Sequence, residues 1–305
     1  CLPKMSCLFP VEVLSNIVFR LENEALARFL KTGDKLLLRK IQFCPVRLEY
    51  NVRYGTAAYT LDRSFFKNVT EITVVTDIPA IGAADFFSST LTTVSLRHIE
   101  QERMKGLLQM LPDSVTTLII GGTMKRVDGQ FSKLIPRSVT DLTMDDSYGR
   151  DEFIDFCLNL PDLKRFSFLF NIELITENLA VLPRSITDLH IESFTNSRLD
   201  ESLSLAELPS GLQRVKFTRL SVPHFRNLPP SVESVELSYP GRSFSQNPEL
   251  FPTTVKRLTL DYTSTDFDVK RLATHLDHFV YHDSTYGPTP ELMALFLEEK
   301  KRLGR

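Results

Sequence analysis

One ten-residue phrase narrows the fold of this chain more than any other feature. Leu111-Pro112-Asp113-Ser114-Val115-Thr116-Thr117-Leu118-Ile119-Ile120 returns at 135–144, 182–191, 228–237 and 251–260, with looser copies at 208–217 and 160–168. Taking the first apolar residue of each expected strand as an anchor gives Val69, Leu91, Val115, Val139, Leu163, Ile186, Leu212, Val232, Val255 and Leu276, in steps of 20–26 residues. Each anchor is followed by x-x-apolar-x-apolar, from Ile72 and Val74 to Phe279 and Tyr281. A fixed period of this length is the mark of a solenoid, in which each copy buries its apolar face only against its neighbours.

Strand alternation then sorts the residues. Within each copy the two strand leucines point inward and the intervening residues point the other way. Proline before the strand costs no ladder hydrogen bond, and the hydroxyl two residues later (Ser114, Ser138, Ser185, Ser231, Thr254) can close a hydroxyl turn. Return segments 98–110, 151–160 and 172–182 have helical patterns, and 239–250 reads as extended. The LxxLxL core resembles the leucine-rich repeat, and its proline-led form resembles the FNIP-type variety. The Asn that ladders the turn after the strand in that family is largely missing, with Ile99, Phe194 and Leu220 among its replacements. The resemblance implies an α/β fold: a right-handed horseshoe solenoid with one parallel sheet on its concave face.

The sequence divides into a helical module at 1–45, a solenoid of about ten repeats at 46–286 and a C-terminal capping helix at 287–305. The tail carries a capping Thr289, Pro290 in the first helical turn, Glu291 on the favourable end of the helix dipole, an apolar stripe of Leu292, Leu295 and Phe296, and Gly304 as a stop. At the other end, Phe9-Pro10-Val11-Glu12-Val13-Leu14, followed by Ile17, Leu21 and Leu26, resembles the F-box. That resemblance implies docking, through Pro10, Leu14, Ile17 and Leu21, to the small adaptor subunit of a cullin-RING ubiquitin ligase. The family's later Val-Cys and Trp landmarks are absent. A helical cap on the first repeat is the other reading of the same residues.

Bulk numbers exclude several classes. A net charge of −2 gives no basic surface for nucleic acid. No apolar run reaches the roughly 18 residues that a membrane span needs. Cys1, Cys7, Cys44 and Cys157 form no CxxC pair and no secreted framework, so reduced thiols in a cytoplasmic or nuclear protein are expected. The sequence opens on Cys1 rather than Met, so residues upstream of it are expected.

No catalytic set stands out. His275, His278 and His282 invite a metal, but on a strand four residues span roughly 13 Å, too far for one ion. Gly121-Gly122 reads as a turn rather than a phosphate cradle. We therefore expect no enzyme, cofactor or metal, and a monomer. The informative surface is the concave face, where Asp141, Asp145, Arg165, Asp188, His190, Glu192, Arg214 and Lys216 form a mixed-charge field suited to a protein partner. Two functions follow as expectations: a ubiquitin-ligase substrate receptor holding its substrate on that face, or a repeat scaffold without a ligase link.

Overall fold

The computed structural model describes residues 46–51, 69–75, 87, 89–122, 129–145, 150–170, 179–198, 205–221, 225–238, 252–261, 272–283, 287–288 and 290–304. The F-box-like stretch, with Pro10, Leu14, Ile17 and Leu21, lies outside them, as do Thr289 and 239–250. The chain forms two compact units, 1–142 and 143–305.

In the first unit, β1 (Val46–Asn51), β2 (Val69–Val75), β3 (Thr93–Arg97) and β4 (Thr117–Gly121) pair in chain order, all parallel. In the second, β6 (Arg165–Phe170), β7 (Asp188–Arg198), β8 (Arg214–Ser221), β9 (Ser234–Ser238), β10 (Arg257–Asp261) and β11 (His278–Asp283) do the same, and the short β12 (Gly287–Pro288) adds antiparallel to β11. Strand β5 (Asp141–Met144) spans the division in sequence. Strands sit where the repeat places them because the alternation is strict. Leu118/Ile120, Phe166/Phe168, Val215/Phe217 and Leu258/Leu260 are all at most 2% exposed. The described anchors from Leu91 to Leu276 are no more than 1% exposed. Each such side chain contributes about 1.5–3 kcal/mol by leaving water.

Return segments differ in the helix they carry. Helix α1 (Gln101–Gln109) buries Met104, Leu107 and Leu108, and α2 (Arg150–Asn159) buries Phe153, Phe156 and Cys157. Four other described returns carry a 3-10 helix, at 129–134, 179–181, 205–207 and 225–227, burying Phe131, Leu179, Leu205 and Phe225. Of the helix expected over 172–182, the described part is this 3-10 turn.

The proline phrase forms a tight turn whose geometry recurs. The carbonyls of Pro112, Pro136, Pro183, Pro209, Pro229 and Pro252 accept from the N–H of the following anchor at 3.0–3.2 Å. The expected local hydroxyl turn gives way to something longer in range. Ser114 Oγ donates to the Leu91 carbonyl at 2.7 Å, Ser138 Oγ to that of Val115 at 2.7 Å, and Ser185 Oγ to those of Leu163 and Pro161 at 2.7 and 2.6 Å. Each serine therefore fastens its repeat to the one before. Beside it runs a forked main-chain ladder. The Thr92 carbonyl accepts from the N–H groups of Thr116 and Thr117, and the same fork recurs at Thr116, Lys164, Thr187, Gln213, Glu233 and Lys256. These bonds lie at the start of the strand, whereas the Asn ladder would follow its end. There, Ile99 is 2% exposed and serves as core.

Helix α3 (Pro290–Arg302) begins at Pro290 as expected, and Gly304, at φ +70°, follows its end. Its apolar stripe is narrower than the sequence implied. Phe296 is buried with its ring 5.5 Å from that of Phe279, but Leu295 is 41% exposed.

Candidate functional site

Strand pairing within the second unit lines up the outward-pointing residues in three rows. Nearest the strand starts are Arg165, Asp188, Arg214, Ser234, Arg257 and His278. The middle row is Ser167, His190, Lys216, Glu236, Thr259 and Val280, and the far row is Leu169, Glu192, Thr218, Ser238, Asp261 and His282. This is the register that the repeat period implies, because one residue of slip would turn the leucines outward.

In the first row, Arg214 Nε donates to Asp188 Oδ1, and Thr187 Oγ1 donates to Asp188 Oδ2 at 2.7 Å. The hydrogen bond and charge of Asp188 raise the Arg214 pKa. Asp188 is thus a neutralised acid rather than a solvated one. The Arg165 and Arg257 side chains are exposed.

The middle row holds a half-buried imidazole between two hydroxyls. His190 Nδ1 lies 2.9 Å from Ser167 Oγ, and its Nε2 lies 3.0 Å from Thr218 Oγ1. Burial first, and then the charge of Lys216, pull its pKa down to about 4. The imidazole is neutral near pH 7, giving one donor and one acceptor to the two hydroxyls it bridges. Lys216 pairs with Glu236. Four strands, β6 to β9, are tied together here without leaving a net charge.

In the far row, Arg219 reaches Glu192 at 3.6 Å, and Ser238 Oγ donates to Asp261 Oδ2 at 2.9 Å. His282 Nδ1 lies 3.1 Å from the buried Asp261 Oδ1. Arg219, within β8, takes φ +57°.

Asp145 is half-buried, just past β5, and half-buried Asp141 belongs to the first unit. Five of the eight, Asp188, His190, Glu192, Arg214 and Lys216, are joined by direct bonds to neighbours on this face. The sequence reading missed their partners: Ser167, Thr218, Glu236 and Arg219. The signal was present, since three of the four stand in the same columns, but it becomes visible only once strands are paired.

The histidine trio also needs correction. His278 and His282 lie on β11, but His275 sits in the turn before it, because the strand starts at His278. Among the described residues no three His, Cys, Asp or Glu side chains gather as a metal site. Burial raises the Cys157 thiol pKa far above its usual value, which leaves the group unreactive. No described helix is long and apolar enough to cross a membrane.

No family model and no curated protein matches the chain. A crystal structure does. The leucine-rich repeat-containing protein LegL7 from Legionella pneumophila aligns with a TM-score of 0.60 at 15% identity, over 83% of this chain and 97% of that one. The fold is a leucine-rich-repeat fold. At that identity the likeness concerns architecture, and the face described above is this chain's own.

Proposed function

We propose that this protein is a protein-interaction module that holds its partner on the open face of strands β6–β11. One observation carries the reading: successive repeats present a continuous polar and charged surface in register, with its central groups already fixed by hydrogen bonds. A pre-ordered surface loses little side-chain entropy on binding, and mixed charge selects orientation and partner. Arg165→Glu combined with Lys216→Glu should abolish partner capture by the immobilised protein while leaving its circular dichroism unchanged. Unchanged capture would remove this face from consideration.

A finer reading rests on the segment beginning at Phe9. Its Pro10, Leu14, Ile17 and Leu21 pattern supports a substrate receptor that docks a cullin-RING adaptor and raises the local concentration of substrate at the ligase. Co-purification with that adaptor, lost in Leu14→Asp and Ile17→Asp, is the expected result. Absence of binding by the unaltered protein would leave the interaction module without its ligase link.

A further inference from the structure

The C-terminal end of the second unit holds a cavity of about 550 Å³, lined by Lys256, His275, Asp277, Phe296, Leu297 and Lys300. Two parts of the fold bring these residues together. Lys256 and Asp277 stand one position before β10 and β11, and the N–H groups of Asp277 and His278 both donate to the Lys256 carbonyl, at 2.7 and 3.0 Å. Helix α3 supplies the other wall. Phe296 is buried against Phe279, its neighbour Leu297 is 54% exposed, and Lys300 lies one helical turn after Phe296. Lys300 is thus a charged residue in a core position, only 8% exposed. Its ammonium lies 3.6 Å from Asp277 Oδ1, beyond hydrogen-bonding range, and makes no hydrogen bond among the described residues. The buried acid of the same helix, Glu299, is held instead by Arg302 Nε at 3.0 and 2.9 Å. Lys256 Nζ donates to the Thr253 carbonyl at 3.1 Å and forms no ion pair among the described residues. An ammonium has three donors, so both lysines keep unused ones.

We propose that this cavity binds a small amphipathic carboxylate, with its head on Lys256 and Lys300 and its apolar body against Phe296 and Leu297. The volume falls within the roughly 300–1,000 Å³ of small-molecule sites, which combine apolar walls with a few placed polar groups. Two ammoniums against the one carboxylate of Asp277 leave one positive charge, which suits a monoanion. A phosphoryl group would bring about 1.5–2 negative charges. Burying an ammonium without a hydrogen-bond acceptor is unfavourable, and a bound carboxylate supplies that acceptor through a charge-assisted bond. Asp277 does not replace it, because its side chain is 58% exposed and water screens the attraction. Leu297 is the apolar counterpart in the same cavity, and a ligand that covers it takes that surface out of water.

No residue of the open-face rows lines the cavity, so a ligand here is independent of the partner proposed above. Decanoate, kept below its micelle concentration, is titrated into the full chain by calorimetry, beside decanol, decylammonium and acetate. A single decanoate should bind about tenfold tighter than decanol, with decylammonium and acetate weaker still. Lys256→Ala and Lys300→Met should each weaken decanoate several-fold, and Leu297→Trp should abolish its binding by filling the cavity. Lys256 and Leu297 are exposed, so their variants carry the test even if Lys300→Met does not fold, and circular dichroism checks each. Equal binding of decanol or decylammonium, no binding of decanoate, or binding untouched by Lys256→Ala and Leu297→Trp overturns the proposal. A peptide with a free C-terminal leucine is the remaining arm. If it needs the same residues and binds at least as tightly as decanoate, the cavity takes a chain terminus and the small-molecule ligand is rejected.

Discussion

Ser185 and Ser231 occupy the same position of the proline phrase, in the same unit, yet their hydroxyls meet different fates. Ser185 Oγ donates to the carbonyls of Leu163 and Pro161, sharing one proton between them, whereas Ser231 Oγ is buried without a partner among the described residues. Replacing either by alanine removes the same atom, so side-chain entropy and volume terms nearly cancel in the comparison. A net hydrogen bond is worth about 1 kcal/mol, and an unsatisfied buried hydroxyl costs about 1–3 kcal/mol. Ser185→Ala should therefore destabilise the second unit by about 1 kcal/mol, while Ser231→Ala should be neutral or stabilising by up to ~1 kcal/mol. With a urea slope near 2 kcal/mol/M, the first lowers the midpoint by about 0.5 M and the second leaves it unchanged or raises it. Equilibrium urea unfolding followed by circular dichroism, with the slope checked for constancy, reads both. A loss at Ser231 equal to that at Ser185 would refute the claim that the serine acts through the carbonyl of the preceding repeat.

Three further perturbations test other parts of the structure. Gly122 has φ +68°, and a Cβ there would meet the His98 ring; Gly122→Ala should cost about 2 kcal/mol or more in thermal unfolding, and adding His98→Ala should recover the clash but not the backbone strain. Phe166 is 1% exposed and lies 6.0 Å from the ring of Phe153 and 4.9 Å from that of Phe168; Phe166→Ala should lose about 3–5 kcal/mol by denaturant unfolding, and Phe166→Leu clearly less. His190 titrates near 4 when folded, against 6.5 in the unfolded chain. The unfolded state then takes up a proton that the native state refuses, so stability present above pH 6.5 declines as the pH falls toward 4, by at most about 3 kcal/mol. Unfolding midpoints at pH 7 and 4.5 should show this loss, and His190→Gln should lack its share of it.

Much of the fold was legible because the repeat fixes two things at once. Its period of 20–26 residues sets which residues lie side by side on neighbouring strands, and its LxxLxL alternation sets which of them face inward. The rows from Arg165 to His278 and from Ser167 to Val280 follow from those two facts alone. Helices α1 and α2 were also legible, from the helical patterns at 98–110 and 151–160. Other features lay beyond reach. The Ser114, Ser138 and Ser185 acceptors are 22–24 residues away in sequence, so a local turn was the natural reading of a hydroxyl after proline. The sequence groups His275 with His278 and His282 on the last strand, and only the backbone shows that strand starting at His278.

By itself, then, the sequence determined the repeating frame: apolar residues at a fixed phase can be buried only one way, and a register slip of one residue would expose them all. Tertiary structure decided the chemistry of the face. Whether a carboxylate is free or held depends on which side chain stands about 4.8 Å across on the next strand and on how much water the pair excludes. That is why Asp188 is bound to Arg214, why His190 is neutral between Ser167 and Thr218, and why Ser185 finds a carbonyl where Ser231 does not.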